Sequence, residues 1–135
     1  MTESEVILQG IHQAVHPTML LVATDPKFLK VLDMSLKLEF ECVVLSVKGG
    51  RSAVETAKRI KPDLFIIDYH LLDLGALELS HRLHSITELK SIPTILLNSP
   101  VPSWSEHQGY HTIFLRMPFA LLELYTAVNE SLGRT

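Results

Sequence analysis

The carboxylate of Asp68 is the side chain in this sequence best placed for chemistry. It ends the segment Leu64-Phe-Ile-Ile-Asp68, in which four apolar residues precede the acid. A short run of large apolar residues predicts a strand buried on both faces, as in a parallel sheet covered by helices. Open α/β sheets bind their ligands at the carboxyl ends of the strands. We therefore expect Asp68 to lie where such a sheet binds ligands.

Length and composition limit the classes of protein. The chain has 135 residues, 47% of them hydrophobic, which suffices for one globular domain. Its apolar stretches are shorter than the ~20 residues that span a bilayer. The acidic N-terminus lacks the basic start of a signal peptide. A net charge of −3 without a Lys/Arg cluster disfavours nucleic-acid binding. We expect a cytoplasmic protein without membrane or direct nucleic-acid contacts.

Strands alternate with helices along most of the chain. Asp25-Pro26 predicts the N-cap and first turn of a helix. Alternation of this kind implies a single doubly wound α/β domain, with a parallel sheet and helices on both faces. The expected strands cover residues 19–23, 42–47, 65–68, 93–98 and 113–116. The expected helices cover residues 52–60, 76–86 and 119–132, besides the one that begins at Pro26.

Two segments interrupt this alternation. Residues 1–17 form an N-terminal extension ahead of a domain that covers residues 18–135. The extension carries four apolar residues at helical spacing, Ile7, Leu8, Ile11 and Val15. It is either a helix packed on its own domain or a docking element for a partner. Pro100 and Pro102 predict a short or irregular fourth helix, in which Trp104 fills the local core or contacts a partner.

Three segments resemble the response-regulator receiver domain, the phosphoacceptor module of two-component signalling. They are Ile60-Lys-Pro-Asp-Leu-Phe-Ile-Ile-Asp68-Tyr-His-Leu, Ile92-Pro-Thr-Ile-Leu-Leu97 and Met117-Pro118-Phe119. Their order and spacing are close to those of the family, and the resemblance extends from about Met19 to Leu132. It implies a CheY-like, five-stranded sheet of flavodoxin-like order 2-1-3-4-5 and a role in a phosphorelay.

The resemblance also implies a site. Asp68 takes the phosphoacceptor position, and the backbone carbonyl of His70 takes the position of a metal ligand. In the family, an acidic pair after the first strand completes a Mg²⁺ site, and a hydroxyl residue and a lysine follow the fourth and fifth strands. The metal and the lysine are needed because a carboxylate that attacks an anionic phosphoryl group must overcome like-charge repulsion.

This sequence departs from the family at four of those positions. The acidic pair falls on Ala23 and Thr24, the hydroxyl position on Asn98 and the lysine position on Met117. An amide can still donate a hydrogen bond to a phosphate, whereas a methionine supplies no charge. Phe114 takes the position of the family's aromatic switch residue, and we expect it to be a plain core aromatic.

Asp25 directly follows the altered acidic pair. It is either a metal ligand displaced by one residue or the N-cap of the first helix. Mg²⁺ prefers several hard oxygen ligands. A set limited to Asp25, Asp68 and the carbonyl of His70 therefore predicts a magnesium site that is weak or absent.

Together these features predict an atypical, or pseudo-, receiver that acts through protein–protein interaction. The protein is not expected to be an enzyme, beyond at most autophosphotransfer onto Asp68. Its partner would be a sensor kinase, a downstream effector or a second copy of the chain. The alternative is a genuine Mg²⁺-dependent receiver that a histidine kinase phosphorylates on Asp68.

Other site patterns fit less well. Asp68-Tyr-His70 resembles the Asp-x-His-x-x-Gly motif of cobalamin-binding domains, but Asp73 stands in place of the glycine. No Gly-x-Gly-x-x-Gly follows any expected strand, as dinucleotide binding would require. His81 and His84 lie one helical turn apart and could form half of a metal site. A solvated helix face is the preferred interpretation of that pair.

Overall fold

The computed structural model describes residues 16–100 and 111–133, which contain five strands and four helices. A single 3₁₀ turn, Thr87–Leu89, follows the third helix. The strands are β1 (Thr18–Val22), β2 (Val43–Val47), β3 (Leu64–Asp68), β4 (Thr94–Ser99) and β5 (Thr112–Arg116). The helices are α1 (Pro26–Glu39), α2 (Gly50–Ile60), α3 (Ala76–His84) and α4 (Leu121–Ser131).

All the strand pairs are parallel, and the sheet has the order β2-β1-β3-β4-β5. The predicted fold class and strand order are therefore confirmed. Every observed element end lies within two residues of the expected one, and the two-residue differences are the early start of α2, the early end of α3 and the late start of α4. Strand β3 is central, and all five of its residues are buried. The apolar run before Asp68 therefore lies between two layers of helices, as the sequence predicts.

The core is divided into two clusters, one on each face of the sheet. Alternate residues of β3 point into opposite clusters, as strand geometry requires: Leu64 and Ile66 into one, Phe65 and Ile67 into the other. The first cluster is completed by apolar residues of α1 and α4, and the second by residues of α2 and α3. Because β3 is held on both faces, the position of Asp68 at its end is fixed.

Helix α1 begins where the sequence predicts. The Oδ1 atom of Asp25 accepts a hydrogen bond from the backbone N–H of Lys27 at 2.9 Å, and Pro26 occupies the first turn. Proline suits this position because its missing N–H would have no partner in the helix. The predicted N-cap role of Asp25 is confirmed.

Several predictions lie outside the described residues. Most of the N-terminal extension, the proposed helix at its centre, the short fourth helix and Trp104 all fall in residues 1–15 or 101–110. The boundary between the extension and the domain stays a prediction. Within the described ranges, none of the helices has both the length and the apolar character needed to cross a membrane.

Candidate functional site

The side chain of Asp68 is buried at the carboxyl end of β3, with 9% of its surface exposed. Its Oδ1 atom accepts a hydrogen bond from the Asn98 side-chain amide at 3.3 Å and another from the His70 backbone N–H at 3.2 Å. Both donors are uncharged. Among the described residues, hydrogen bonds from these uncharged groups orient the Asp68 carboxylate.

Asn98 reaches Asp68 through an unusual backbone conformation. Its φ angle is +58°, in the left-handed region, and the pairing of β4 with β5 shifts register between Leu97 and Ser99. Asparagine is among the few residues other than glycine that adopt this conformation at small cost. Ser99 is buried, and the Asn98 side chain supplies the contact to the carboxylate. The amide, at the position where the resemblance implies a hydroxyl residue, thus contacts Asp68 from a backbone conformation that would strain a β-branched residue.

The end of β1 lacks the acidic pair. Ala23 is buried, and Thr24 uses its Oγ1 atom to accept a hydrogen bond from the backbone N–H of Leu72 at 3.3 Å. Asp25 is exposed, and its carboxylate caps α1. Thr24 therefore ties the loop after β3 to the loop after β1 by a direct hydrogen bond, at the position where the family resemblance implies a metal ligand.

The oxygen atoms of Asp68, Thr24 and Asp25 do not fit the magnesium site that the resemblance implies. Mg²⁺ takes a near-octahedral set of hard oxygen ligands, commonly with more than one carboxylate. Near the end of β3, Asp68 contributes one carboxylate, while the Thr24 hydroxyl and the Asp25 carboxylate are engaged elsewhere. Across residues 16–100 and 111–133, no group of three or more His, Cys, Asp or Glu is placed to hold a metal ion.

Asp73 holds the loop after β3 against the start of α2. Its two carboxylate oxygens accept hydrogen bonds from the backbone N–H groups of Gly50 at 3.0 Å and Arg51 at 3.3 Å. These N–H groups are in the first turn of the helix and have no partner within it. The bond from Gly50 is the main reason that the pKa of Asp73 is lowered. We call this contact the Asp73 clamp.

Gly49 makes room for the Asp73 clamp. A Cβ atom at this position would lie 2.9 Å from Oδ2 of Asp73, closer than non-bonded atoms approach. The backbone of Gly49 is extended (φ −167°), so the glycine is not required by its φ angle. The space for the carboxylate is what favours glycine at this position.

The end of β5 supplies no positive charge to Asp68 in the described contacts. Met117, at the position where the resemblance implies a lysine, is 60% exposed, and the adjacent Arg116 is also exposed. The peptide bond between Met117 and Pro118 is cis. Phe114 is 1% exposed and belongs to the cluster of α2 and α3, as expected of a core aromatic.

Two features of the structure were missed from the sequence. The Asp73 clamp joins residues that are 22 and 23 positions apart in the chain, and nothing local in the sequence marks such a pair except Gly49 and Gly50 at the start of α2. The sequence predicted a solvated helix face for His81 and His84. This is wrong for His84, whose ring is half-buried and makes several hydrogen bonds, whereas His81 is exposed.

Comparison with known proteins agrees with the fold. No protein-family model matches the chain. The chain is 30% identical over 121 residues to the "Probable transcriptional regulatory protein TcrX" of Mycobacterium tuberculosis. That alignment covers 87% of this chain and 50% of the relative. The chain thus spans about half the length of this curated relative.

Receiver domains of known structure superimpose on most of the chain. One is the receiver domain of the sensor histidine kinase PA1611 of Pseudomonas aeruginosa, determined with magnesium coordinated in its active-site cleft: TM-score 0.75, 21% identity, 87% of this chain and 98% of that one. Another is the chemotaxis response regulator CheY4 of Vibrio cholerae: TM-score 0.75, 18% identity, 87% of this chain and 99% of that one. The chain has the CheY-like receiver fold.

Proposed function

We propose that this chain is an atypical receiver module of two-component signalling, which acts by binding a protein partner rather than by phosphoryl transfer to Asp68. The receiver fold and the position of Asp68 support the signalling role. One observation supports the proposal that phosphoryl transfer is lost: within the described part of the chain, the hydrogen-bond donors to the Asp68 carboxylate are an amide and a backbone N–H, both uncharged.

The missing charges matter because of what phosphoryl transfer requires. A carboxylate and an incoming phosphoryl group are both anionic, so their approach needs positive charge fixed in advance. Loss of one such stabilising group typically costs about 3 kcal/mol, or 10²–10³ in rate. Loss of the metal carboxylate at Thr24 and of the lysine at Met117 then slows transfer by about 10⁴ or more, if the effects add. Such a rate does not support signalling.

The corner between β5 and α4 is the proposed contact for the partner. Met117, Leu121 and Leu122 are large apolar residues that are 60%, 46% and 73% exposed there. Leu122 also lines an open groove of about 450 Å³ between β5 and α4, whose other walls include Phe114 and Ala127. Exposed apolar residues next to a groove are typical of protein-binding surfaces. Partner binding at this corner needs no modification of Asp68.

Restoring the missing charges tests this proposal. We would prepare Thr24→Asp/Met117→Lys and compare its phosphoryl uptake from acetyl phosphate and Mg²⁺ with that of the unaltered protein, by intact mass. The double variant is expected to gain one phosphoryl group, and to lose that gain when Asp68→Asn is added. If the unaltered protein takes up phosphate as fast as the double variant, the positions at Thr24 and Met117 are not what limits the site.

A second function, that of a genuine phosphoacceptor, is favoured by the Asn98 contact. The amide is 3.3 Å from the Asp68 carboxylate and could donate instead to a phosphoryl oxygen on that residue. This function predicts uptake by the unaltered protein that depends on Mg²⁺ and disappears in Asp68→Asn. The comparison above distinguishes it from the proposal.

A further inference from the structure

The ring of His84 joins the end of α3 to the segment before β4. His84 is the last residue of the helix. Its Nδ1 atom lies 2.7 Å from the backbone carbonyl oxygen of Ser80, and its Nε2 atom lies 2.9 Å from that of Ile92. The ring also packs edge-on with Phe65, with the centroids 5.8 Å apart. A half-buried side chain thus bridges two elements by both of its nitrogens.

Two carbonyl oxygens impose a protonation state on this ring. A carbonyl oxygen only accepts hydrogen bonds, whereas a neutral imidazole has one N–H donor and one nitrogen lone pair. Either neutral tautomer would leave that lone pair 2.7 or 2.9 Å from the lone pairs of an oxygen atom. An imidazolium has two N–H donors and satisfies both carbonyls.

The nearby hydroxyl groups are the alternative partners. Oγ of Ser80 lies 3.3 Å from Nδ1, and Oγ1 of Thr94 lies 3.2 Å from Nε2. Each could donate to a neutral nitrogen. Both distances are longer than the corresponding carbonyl distances, and a bond from a hydroxyl does not remove the close carbonyl oxygen. The shorter contacts therefore favour the protonated ring.

We propose that His84 is a protonation-dependent clamp, which as an imidazolium ties the carboxyl end of α3 to the start of β4. Its position at a helix C-terminus also favours a cation, because the helix dipole is negative there. Partial burial of the ring, by contrast, disfavours the charged form. Charge-assisted hydrogen bonds are stronger than neutral ones, and two of them at these distances outweigh the cost of partial burial.

The titratable groups near the clamp on α3, in the 3₁₀ turn and in the segments before β4 and β5 are exposed. They are His81 and Arg82 on α3, Glu88 in the 3₁₀ turn, Lys90 before β4 and His111 before β5. Arg82 is 3.6 Å from Glu78 and pairs with it. Since these groups face water, their charges are screened, and the two carbonyl oxygens are the shortest contacts described for the ring.

The clamp predicts a particular pH dependence. In an unfolded chain, a protonated histidine ring loses a proton and becomes neutral near pH ~6.5. The clamp predicts that His84 in the folded protein keeps this proton to a higher pH. The clamp therefore contributes fully to stability below pH ~6.5, and the contribution is lost as pH rises through the titration of folded His84. On deprotonation one carbonyl contact is released, so the amides of residues 85–92 should exchange faster with solvent.

NMR of the histidine rings in the full chain tests the clamp. We expect the ¹⁵N shifts of His84 to show both nitrogens protonated, with a titration midpoint about one pH unit or more above that of exposed His81 on the same helix. A neutral His84 tautomer at pH ~6.5, or a midpoint at or below that of His81, would overturn the proposal.

Removal of the hydroxyls separates the clamp from a neutral ring held by hydroxyl donors. Ser80→Ala and Thr94→Val keep both carbonyls and remove the alternative partners. The clamp predicts that His84 stays protonated over the same pH range in both variants. The shift of the His84 titration midpoint in each variant is compared with the difference between the midpoints of His84 and His81 in the unaltered protein. If the shift in either variant is the larger, the hydroxyls control the protonation of the ring and the proposal is wrong.

Discussion

Gly49 and Asp73 provide a quantitative test of how the loop after Asp68 is held. In Gly49→Ala the new Cβ would lie 2.9 Å from Oδ2 of Asp73 and 3.1 Å from its Cγ and Oδ1 atoms. The three atoms nearest to this Cβ thus all belong to the Asp73 carboxylate. The carboxylate must therefore move, and its hydrogen bonds to Gly50 and Arg51 weaken.

The expected energies follow from those contacts. Loss of a side-chain cap at a helix N-terminus costs about 1 kcal/mol, so we expect Asp73→Ala to lower the free energy of unfolding by that amount. Replacing glycine by alanine in an extended conformation restricts the unfolded chain and stabilises by about 0.5 kcal/mol. Gly49→Ala should thus destabilise the unaltered protein by about 0.5 kcal/mol and stabilise Asp73→Ala by about 0.5 kcal/mol.

Urea unfolding of the two single variants and the double variant measures the coupling, which we expect to be about 1 kcal/mol. Gly50→Ala is the matched control, because its Cβ would meet Leu74 at 2.9 Å and not Asp73. Gly50→Ala should lower the free energy of unfolding by a similar amount in the unaltered protein and in Asp73→Ala. If Gly49→Ala is equally costly in both backgrounds, the Asp73 clamp does not occupy the space beside Gly49 and the reasoning fails.

Two further predictions concern the same edge of the sheet. Because the hydrogen bond from Gly50 lowers the pKa of Asp73, the stability that its carboxylate contributes is present above the unfolded value near pH ~3.9 and is lost as pH falls through the folded value. The stability difference between the protein and Asp73→Asn should therefore decrease in acid, and a difference that grows would refute the assignment. Asn98→Thr should destabilise by about 1–2 kcal/mol because a β-branched residue is strained at φ +58°. Asn98→Gly removes the same amide without that strain, and equal unfolding costs for the two would contradict this explanation.

Local patterns in the sequence predicted the frame of the fold. The apolar run before Asp68 predicts a strand buried on both faces, and Asp25-Pro26 has the residue types of a helix start; both predictions rest on patterns within a few residues. The resemblance to receivers supplied the strand order, which residue patterns alone do not determine.

The contacts that define the site depend on distant residues. Asp73 acquires its role from N–H groups more than twenty positions earlier in the chain. His84 lies one turn after buried Ser80, and its ring contacts the carbonyl of Ile92 beyond the helix. The left-handed backbone of Asn98 accompanies a register shift in the pairing of β4 with β5. Sequence periodicity carries no information on such tertiary contacts.

The central claim is that Asp68 occupies a phosphoacceptor position without the charges that phosphoryl transfer requires. The most direct test is the intact mass of the unaltered protein after incubation with Mg²⁺ and acetyl phosphate, measured beside Asp68→Asn treated in the same way. The account predicts that neither protein gains the mass of a phosphoryl group. A stable phosphoryl adduct on the unaltered protein that is absent from Asp68→Asn would contradict it.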